Sequence, residues 1–172
     1  MGDLMKQRVV ELAEFGKAEN MRLIEADIPS PGPGQIVVKN KAIGLNYLDT
    51  YFRSGLYPWP NQEKIKILGS EGVGFIHSVG SDVSELKEGD KVSYVTPVGA
   101  YAEYALINSA HAVQIKVDVN DYDVVASTLK GLTAHYLLHL TFDLKSGMTA
   151  LVHAAAGGVG QLMGQWGSEI GA

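Results

Sequence analysis

The stretch that decides the fold of this chain is GMTALVHAAAGGVG, residues 147–160. Within it, residues 149–155 form a short apolar run rich in small side chains, which predicts a buried strand. A glycine-rich turn follows, and the apolar spacing from Gly160 to Ile170 predicts a helix. The order strand, glycine-rich turn, helix is that of the first βα unit of a dinucleotide-binding fold.

The turn corresponds to the pyrophosphate fingerprint G-x-G-x-x-G, whose three glycine positions are held here by Ala155, Gly157 and Gly160. Gly157 would let the backbone approach the pyrophosphate, and Gly160 would let the helix pack closely on the strand. The N–H groups at the helix N-terminus would then bind phosphate. The alternative is a buried turn without a ligand, since Ala155 departs from the general pattern. The predicted cofactor-binding residues of the loop are Ala156, Gly157, Gly158, Val159 and Gly160. The residue that selects NAD or NADP lies about 20 positions beyond the loop, past Ala172.

The sequence before this unit changes character near Asn120. Residues 122–140 carry apolar side chains at helical spacing, and Gly131 is expected to separate two helices. Residues 8 to about 116 instead show short apolar runs punctuated by glycine and proline, which predicts a small β-barrel or sandwich. The expected strands are Gln35–Leu45, Ile67–Val79, Lys91–Thr96, Ala100–Asn108 and Ala112–Ile115.

Composition excludes several classes of protein. The net charge of −5 and the scattered Lys and Arg residues argue against nucleic-acid binding. No apolar stretch approaches the roughly 20 residues that span a bilayer, and residues 1–8 lack a hydrophobic signal core, so a cytoplasmic location without membrane insertion is expected. The chain contains no cysteine, which removes disulfides and thiolate metal ligands.

Four ordered blocks identify a family resemblance that covers essentially the whole chain. They are residues 42–49 with 53–58, residues 69–74 through 89–92, residues 129–134, and residues 147–160 followed by Gln165 and Ser168. Together they resemble the quinone oxidoreductase (zeta-crystallin-like) branch of the zinc-free medium-chain dehydrogenase/reductase superfamily, in which Ala at position 155 is usual. The resemblance implies a mixed α and β fold with a GroES-like barrel over residues 1–128. The start of a Rossmann domain would follow over residues 129–172, so that the chain corresponds to the N-terminal half of such a protein. One strand and one helix would leave large apolar faces bare, and we expect these 172 residues alone to be inactive.

The resemblance also aligns Asn46, Ser70 and Lys130 with the catalytic zinc ligands of zinc-dependent relatives. None is a usual zinc ligand, and a protonated lysine has no lone pair to donate. An alcohol is difficult to oxidise at neutral pH without the metal, whereas a quinone is already electrophilic and needs only a hydride and a proton. The absence of zinc ligands therefore favours hydride transfer to a quinone. The family resemblance implies NADPH as the hydride donor and a homodimeric enzyme. The alternatives are reduction of another activated carbonyl or C=C bond, and a non-catalytic, crystallin-like binding protein.

Five side chains are candidates for the site. Asn46, Tyr51 and Tyr57 match family positions around the nicotinamide and the quinone, although tyrosines at such positions also serve as packing residues. Lys130 is a candidate for stabilising a developing oxyanion or for binding cofactor phosphate or ribose; its alternative is a solvent-facing position. Thr133 matches the family's nicotinamide-ribose contact, with helix capping as the alternative.

His135 and His139 lie four residues apart and would share a helix face. Tyr136 follows His135 where a zinc-protease motif requires glutamate, and no third ligand is evident. We expect the two histidines to serve packing or surface roles, and no metal site is predicted.

Overall fold

The computed structural model describes residues 5–61 and 63–172. It divides into two compact units, the first ending at Val125 and the second covering Ala126–Ala172. Among the described residues, no helix is both long enough and apolar enough to cross a bilayer.

The described residues of the first unit form mainly short strands, seven in all. β1 and β2 form a two-stranded antiparallel sheet, and the other strands form a five-stranded antiparallel sheet in the order β6-β3-β4-β5-β7. Isolated bridges connect β1 to Ala102 and to Ile67. All five strands expected from the sequence are present, somewhat shortened at their ends. The bounds are β1 Lys6–Leu12, β2 Met21–Asp27, β3 Gln35–Ile43, β4 Glu71–Val79, β5 Lys91–Val95, β6 Tyr104–Asn108 and β7 Ala112–Gln114.

The core of this unit lies on the five-stranded sheet, where β-branched side chains and Tyr94 are buried together. Strand β4 approaches β3 so closely that a Cβ atom on Gly74 would lie 2.1 Å from the carbonyl oxygen of Lys39. The pairing of the two strands shifts register between Asn40 and Ala42, next to that contact. The glycine in this strand therefore marks an irregularity in the sheet, as glycines inside strands often do.

Helix α1 (Tyr47–Ser54) follows β3 after a three-residue connection and was not predicted from the sequence. Its N-cap is Asn46, which forms a capping box with Asp49, and it ends at Gly55 with a left-handed φ of 79°. Two short 3₁₀ turns complete the unit, at Ala18–Asn20 and Ser109–His111.

Helix α2 (Asp121–His135) runs without interruption through Gly131 and continues as a π-helical segment, Tyr136–Thr141. The predicted break at Gly131 is therefore wrong. A glycine inside a helix costs only about 1 kcal/mol relative to alanine, which good helix formers on both sides offset. Helix α3 (Gly158–Ile170) follows the glycine-rich turn and ends at Gly171, whose φ is 87°.

The buried strand expected over residues 149–155 is absent. The backbone has no regular secondary structure up to residue 152 and then forms a turn, Ala154 adopts a left-handed φ of 53°, and Leu151 is 86% exposed. A strand exists only when a neighbour pairs with it, and the described residues of the second unit contain no other strand. The composition of residues 149–155 therefore predicts a strand that the second unit, residues 126–172, does not contain.

Candidate active site

Two carboxylates are buried in the first unit at the junction of α1 and β4. Asp49 lies in the first turn of α1 and is 5% exposed, and Glu71 opens β4 and is fully buried. Burying a carboxylate is costly unless hydrogen bonds replace its hydration. The donors around these two groups therefore define the local structure.

Asp49 accepts hydrogen bonds from three donors that come from three parts of the chain. The backbone N–H of Asn46 lies 2.9 Å from Oδ2, the Tyr101 hydroxyl lies 2.7 Å from the same oxygen, and the Ser70 hydroxyl lies 2.7 Å from Oδ1. Tyr101 can reach Asp49 because Gly69 makes room for its ring: a Cβ on Gly69 would lie 2.1 Å from Cδ1 of Tyr101. The carboxylate thus joins the start of α1 to the segments before β4 and β6.

Glu71 accepts a hydrogen bond from the side chain of Asn46, with 2.8 Å between Nδ2 and Oε1. The position of the carboxylate depends on Gly44, because a Cβ there would lie 2.2 Å from the same oxygen. Asn46 and Ser70, which the family resemblance is expected to align with zinc ligands, each donate a hydrogen bond to one of the two carboxylates. Amide nitrogen and hydroxyl groups occupied in this way do not form a zinc-binding donor set.

The environment of Tyr101 keeps its hydroxyl protonated. Burial, followed by the hydrogen bond to Asp49 and the negative charges of Asp49 and Glu71, raises the pKa of Tyr101 well above its usual range. The hydroxyl therefore remains a hydrogen-bond donor to Asp49 at neutral and mildly alkaline pH.

This shift predicts the outcome of an alkaline titration followed by tyrosinate absorbance. Because the folded pKa of Tyr101 exceeds the unfolded value of about 10, the stabilisation it gives is present below that pH and declines as the pH rises above it. Tyr101→Phe should leave the absorbance change of the native protein up to about pH 11 unaltered, because the hydroxyl that it removes does not ionise in that range. A smaller native titration in Tyr101→Phe would contradict the assignment.

Tyr51 and Tyr57 lie together on another side of α1. Their ring centroids are 5.3 Å apart, and Tyr47 contacts the edge of Tyr51 at 5.4 Å. A cavity of about 370 Å³ opens beside the carboxylates and is lined by Asn46, Tyr47 and Tyr101 among others, but not by Tyr51 or Tyr57. The first unit thus places Asn46 at a cavity and pairs the two predicted tyrosines.

In the second unit, Lys130 lies against the glycine-rich loop. A Cβ on Gly158 would come within 2.7 Å of Lys130 Cδ, so the absence of a side chain at Gly158 lets the lysine pass directly over the start of α3. Gly157 is the N-cap of α3, and a Cβ on Gly160 would lie 2.5 Å from the carbonyl oxygen of Ala154. The structure therefore brings Lys130 and the predicted phosphate-binding residues together.

Thr133 lies in the last turns of α2 and not at the start of a second helix, which corrects the sequence interpretation. Its hydroxyl donates a hydrogen bond to the carbonyl oxygen of Leu129, 2.8 Å away, so it does not cap a helix N-terminus. Its predicted contact with a nicotinamide ribose stays a prediction.

His135 and His139 pack against Trp166, with ring centroids 5.7 and 5.2 Å from the indole and 5.1 Å from each other. Within residues 5–61 and 63–172, no three His, Cys, Asp or Glu side chains come together in a way that could hold a metal ion. The two histidines take part in an aromatic cluster.

Sequence reasoning identified Asn46 but missed Asp49, Glu71 and Tyr101. One local signal was available, since Asn46 and Asp49 have the spacing of a capping box and indicate a helix start after β3. No local signal marks Glu71 or Tyr101, whose burial depends on Gly44 and Gly69.

A mainly β unit with buried polar groups at α1, followed by a glycine-rich loop and helix, is the arrangement of a medium-chain dehydrogenase/reductase. The model of the alcohol dehydrogenase GroES-like domain family matches residues 32–117, half of the chain. The chain belongs to this family, and the mixed α and β fold with a GroES-like domain is confirmed.

Comparison with individual proteins confirms the quinone oxidoreductase branch inferred from the sequence. The chain is 43% identical over 163 residues to a quinone oxidoreductase of Pseudomonas aeruginosa, covering 94% of this chain and 50% of that protein. It is 37% identical over 161 residues to a 2-haloacrylate reductase of a Burkholderia species, covering 91% of this chain and 48% of that protein. The crystal structure of Escherichia coli quinone oxidoreductase complexed with NADPH superposes with a TM-score of 0.86 at 37% identity, covering 98% of this chain and 51% of the other. The chain thus spans about half the length of the curated relatives it matches.

Proposed function

We propose that these residues form part of an enzyme that reduces quinones with NADPH and without zinc. The observation that carries the proposal is that Asn46 and Ser70, at the positions of zinc ligands, serve as donors to buried carboxylates. The name of the Pseudomonas aeruginosa relative and the NADPH in the Escherichia coli complex support the substrate class and the cofactor.

The glycine-rich loop fits the phosphates of NADPH. A helix start leaves N–H groups without partners inside the helix, and its dipole favours an anion there. The position of Lys130 over Gly158 adds a positive charge beside the loop, which favours cofactor phosphate or ribose as the group that the lysine binds. This contact gives a specific reason to prefer that role to the oxyanion role considered from the sequence.

In this proposal the cofactor supplies the hydride, and the side chains of the chain bind and orient. Asn46 offers its amide to the nicotinamide or the quinone, and Tyr51 and Tyr57 pack against the planar acceptor and offer phenolic hydroxyls. Thr133 and residues 156–160 complete the cofactor contacts.

The family supports three further proposals. We propose that the GroES-like domain ends near residue 128, that the full-length protein forms a homodimer, and that it acts in the cytoplasm. Light scattering by the full-length protein tests the dimer, since a monomeric mass would contradict it.

The central test is NADPH oxidation by the full-length protein with benzoquinone, before and after exhaustive treatment with a chelator. We expect the same turnover in both samples, because no step uses a metal. Activity that disappears with the chelator and returns with zinc would refute the proposal. NADPH binding without turnover of any acceptor would instead indicate the crystallin-like alternative.

A parallel assay with 2-haloacrylate tests the second candidate, reduction of an activated C=C bond. The observation that favours it is the similarity to the Burkholderia 2-haloacrylate reductase. A higher kcat/KM for the acrylate than for every quinone tried would move the assignment to that reaction.

A further inference from the structure

We propose that Glu71 is the positioning residue of Asn46: it fixes which edge of the Asn46 amide faces a bound ligand, and the ligand group bound there is a hydrogen-bond donor. This inference rests on the proposed function, because it assumes that Asn46 meets the nicotinamide or the acceptor.

Glu71 sets the orientation of the Asn46 amide. The NH₂ group of Asn46 donates to Glu71, with 2.8 Å between Nδ2 and Oε1, so the nitrogen of the amide faces the carboxylate. The opposite flip would bring the amide oxygen against a carboxylate oxygen and is excluded by repulsion. Glu71 thus removes the twofold ambiguity of the asparagine side chain.

The carbonyl oxygen of the Asn46 side chain is the atom that remains for a ligand. With the nitrogen turned toward Glu71, the carbonyl oxygen lies on the other side of the amide. This oxygen has two lone pairs, and the capping box with Asp49 can use at most one of them, so a lone pair is left for a donor from outside the network. Asn46 is partly exposed and lines the cavity of about 370 Å³, so such a donor has access to the residue.

The side chain of Glu71 is itself held in a fixed position. Its side chain is fully buried, and the space it fills exists because Gly44 has no Cβ: an added Cβ would lie 2.2 to 2.5 Å from Oε1, Cγ and Cδ. Gly44 also donates its backbone N–H to the carbonyl oxygen of Glu71 at 3.2 Å. Gly44 and Glu71 therefore act on Asn46 together, although neither needs to touch the ligand.

The donor has two possible sources in the proposed reaction: the carboxamide N–H of the nicotinamide and the O–H of the reduced quinone. The two are distinguished by analogues that lack only the donor. In the acetylpyridine analogue of NADPH a methyl ketone replaces the carboxamide, and in a hydroquinone dimethyl ether both hydroxyls are blocked.

The experiment compares wild-type full-length protein with Glu71→Gln and Gly44→Ala. The first readout is the ratio of kcat/KM for NADPH to that for the acetylpyridine analogue, and the second is the ratio of inhibition by hydroquinone to inhibition by its dimethyl ether. We expect one of these ratios to fall by at least about threefold in both variants, the size of one modest hydrogen bond. A general loss of structure would lower both members of each ratio and leave the ratio unchanged.

The matched control is Glu103→Gln, since Glu103 is an exposed carboxylate paired with Arg8 and should leave both ratios unchanged. Binding of an NADPH analogue without the nicotinamide ring should be unaltered in every variant, which shows that the phosphate loop is intact. If Glu71→Gln fails to fold, Glu71→Asp withdraws the carboxylate by one methylene and serves in its place. Wild-type activity with both ratios unchanged in the variants would overturn the inference, whereas inactivity of the wild type would reject the proposed function itself.

Discussion

Gly160→Val is expected to lower the affinity of the full-length protein for NADPH by about two orders of magnitude. A Cβ at this position would lie 2.5 Å from the carbonyl oxygen of Ala154 and 2.6 Å from Cα of Ala155. Both are backbone atoms, so the loop must move and the N–H groups at the start of α3 move with it. Loss of about two charge-assisted hydrogen bonds to phosphate, each contributing about 1.5 kcal/mol, corresponds to a factor of about one hundred.

Isothermal titration with NADPH measures this effect, and Gly164→Ala is the control. Gly164 lies on the same helix, and apart from its chain neighbours and the adjacent backbone of that helix, no described atom lies within 4 Å of a Cβ built there. Alanine is the better helix former, so this variant should bind NADPH normally and be more stable by about 0.5–1 kcal/mol. If a folded Gly160→Val protein binds NADPH as tightly as wild type, residues 156–160 are not the phosphate site.

The parts of the fold that could be predicted are those whose signal is local. Between Gln35 and Gln114, apolar runs are separated by turn residues, and this pattern predicts the strands β3 to β7. The glycine-rich turn before α3 likewise predicts that helix. The two incorrect predictions, at residues 149–155 and at Gly131, concern features that depend on the surrounding residues of the fold. Residues 149–155 have the composition of a buried strand, but no strand in the described part of the chain pairs with them. Gly131 is tolerated because its flanking residues keep α2 intact.

The only site residues that could be predicted are those that match motifs of the family. Asn46 and the glycine-rich loop could be named from the sequence, since their spacing and neighbours are specific. The partners of Asp49 could not be named, because Ser70 and Tyr101 lie 21 and 52 residues away along the chain. Carboxylates are seldom fully buried, so nothing in their local sequence indicated that Asp49 and Glu71 are.

Asp49→Ala should lower the free energy of unfolding substantially. It removes the acceptor of the Asn46 N–H, the Ser70 hydroxyl and the Tyr101 hydroxyl at once. A buried donor left without a partner costs about 1–3 kcal/mol. Ser70 can turn to the carbonyl oxygen of Pro97, 3.2 Å away, but the other two donors have no such alternative among their hydrogen bonds in the structure. We expect the free energy of unfolding to fall by about 3 kcal/mol.

Urea unfolding of the 172-residue chain in a Trp166→Phe background measures this loss, because Trp59 is then the one tryptophan in these residues and lies in the first unit. Trp59 packs against Phe52 of α1 with ring centroids 6.2 Å apart, so its fluorescence follows the helix that carries Asp49. Asp118→Ala removes an exposed carboxylate from the same unit and should change stability by less than about 0.5 kcal/mol. Equal midpoints for Asp49→Ala and Asp118→Ala would mean that the three donors find water or other acceptors. In that case the three hydrogen bonds of Asp49 would not stabilise the contact between α1, β4 and the segment before β6, and the burial of this carboxylate would not serve stability.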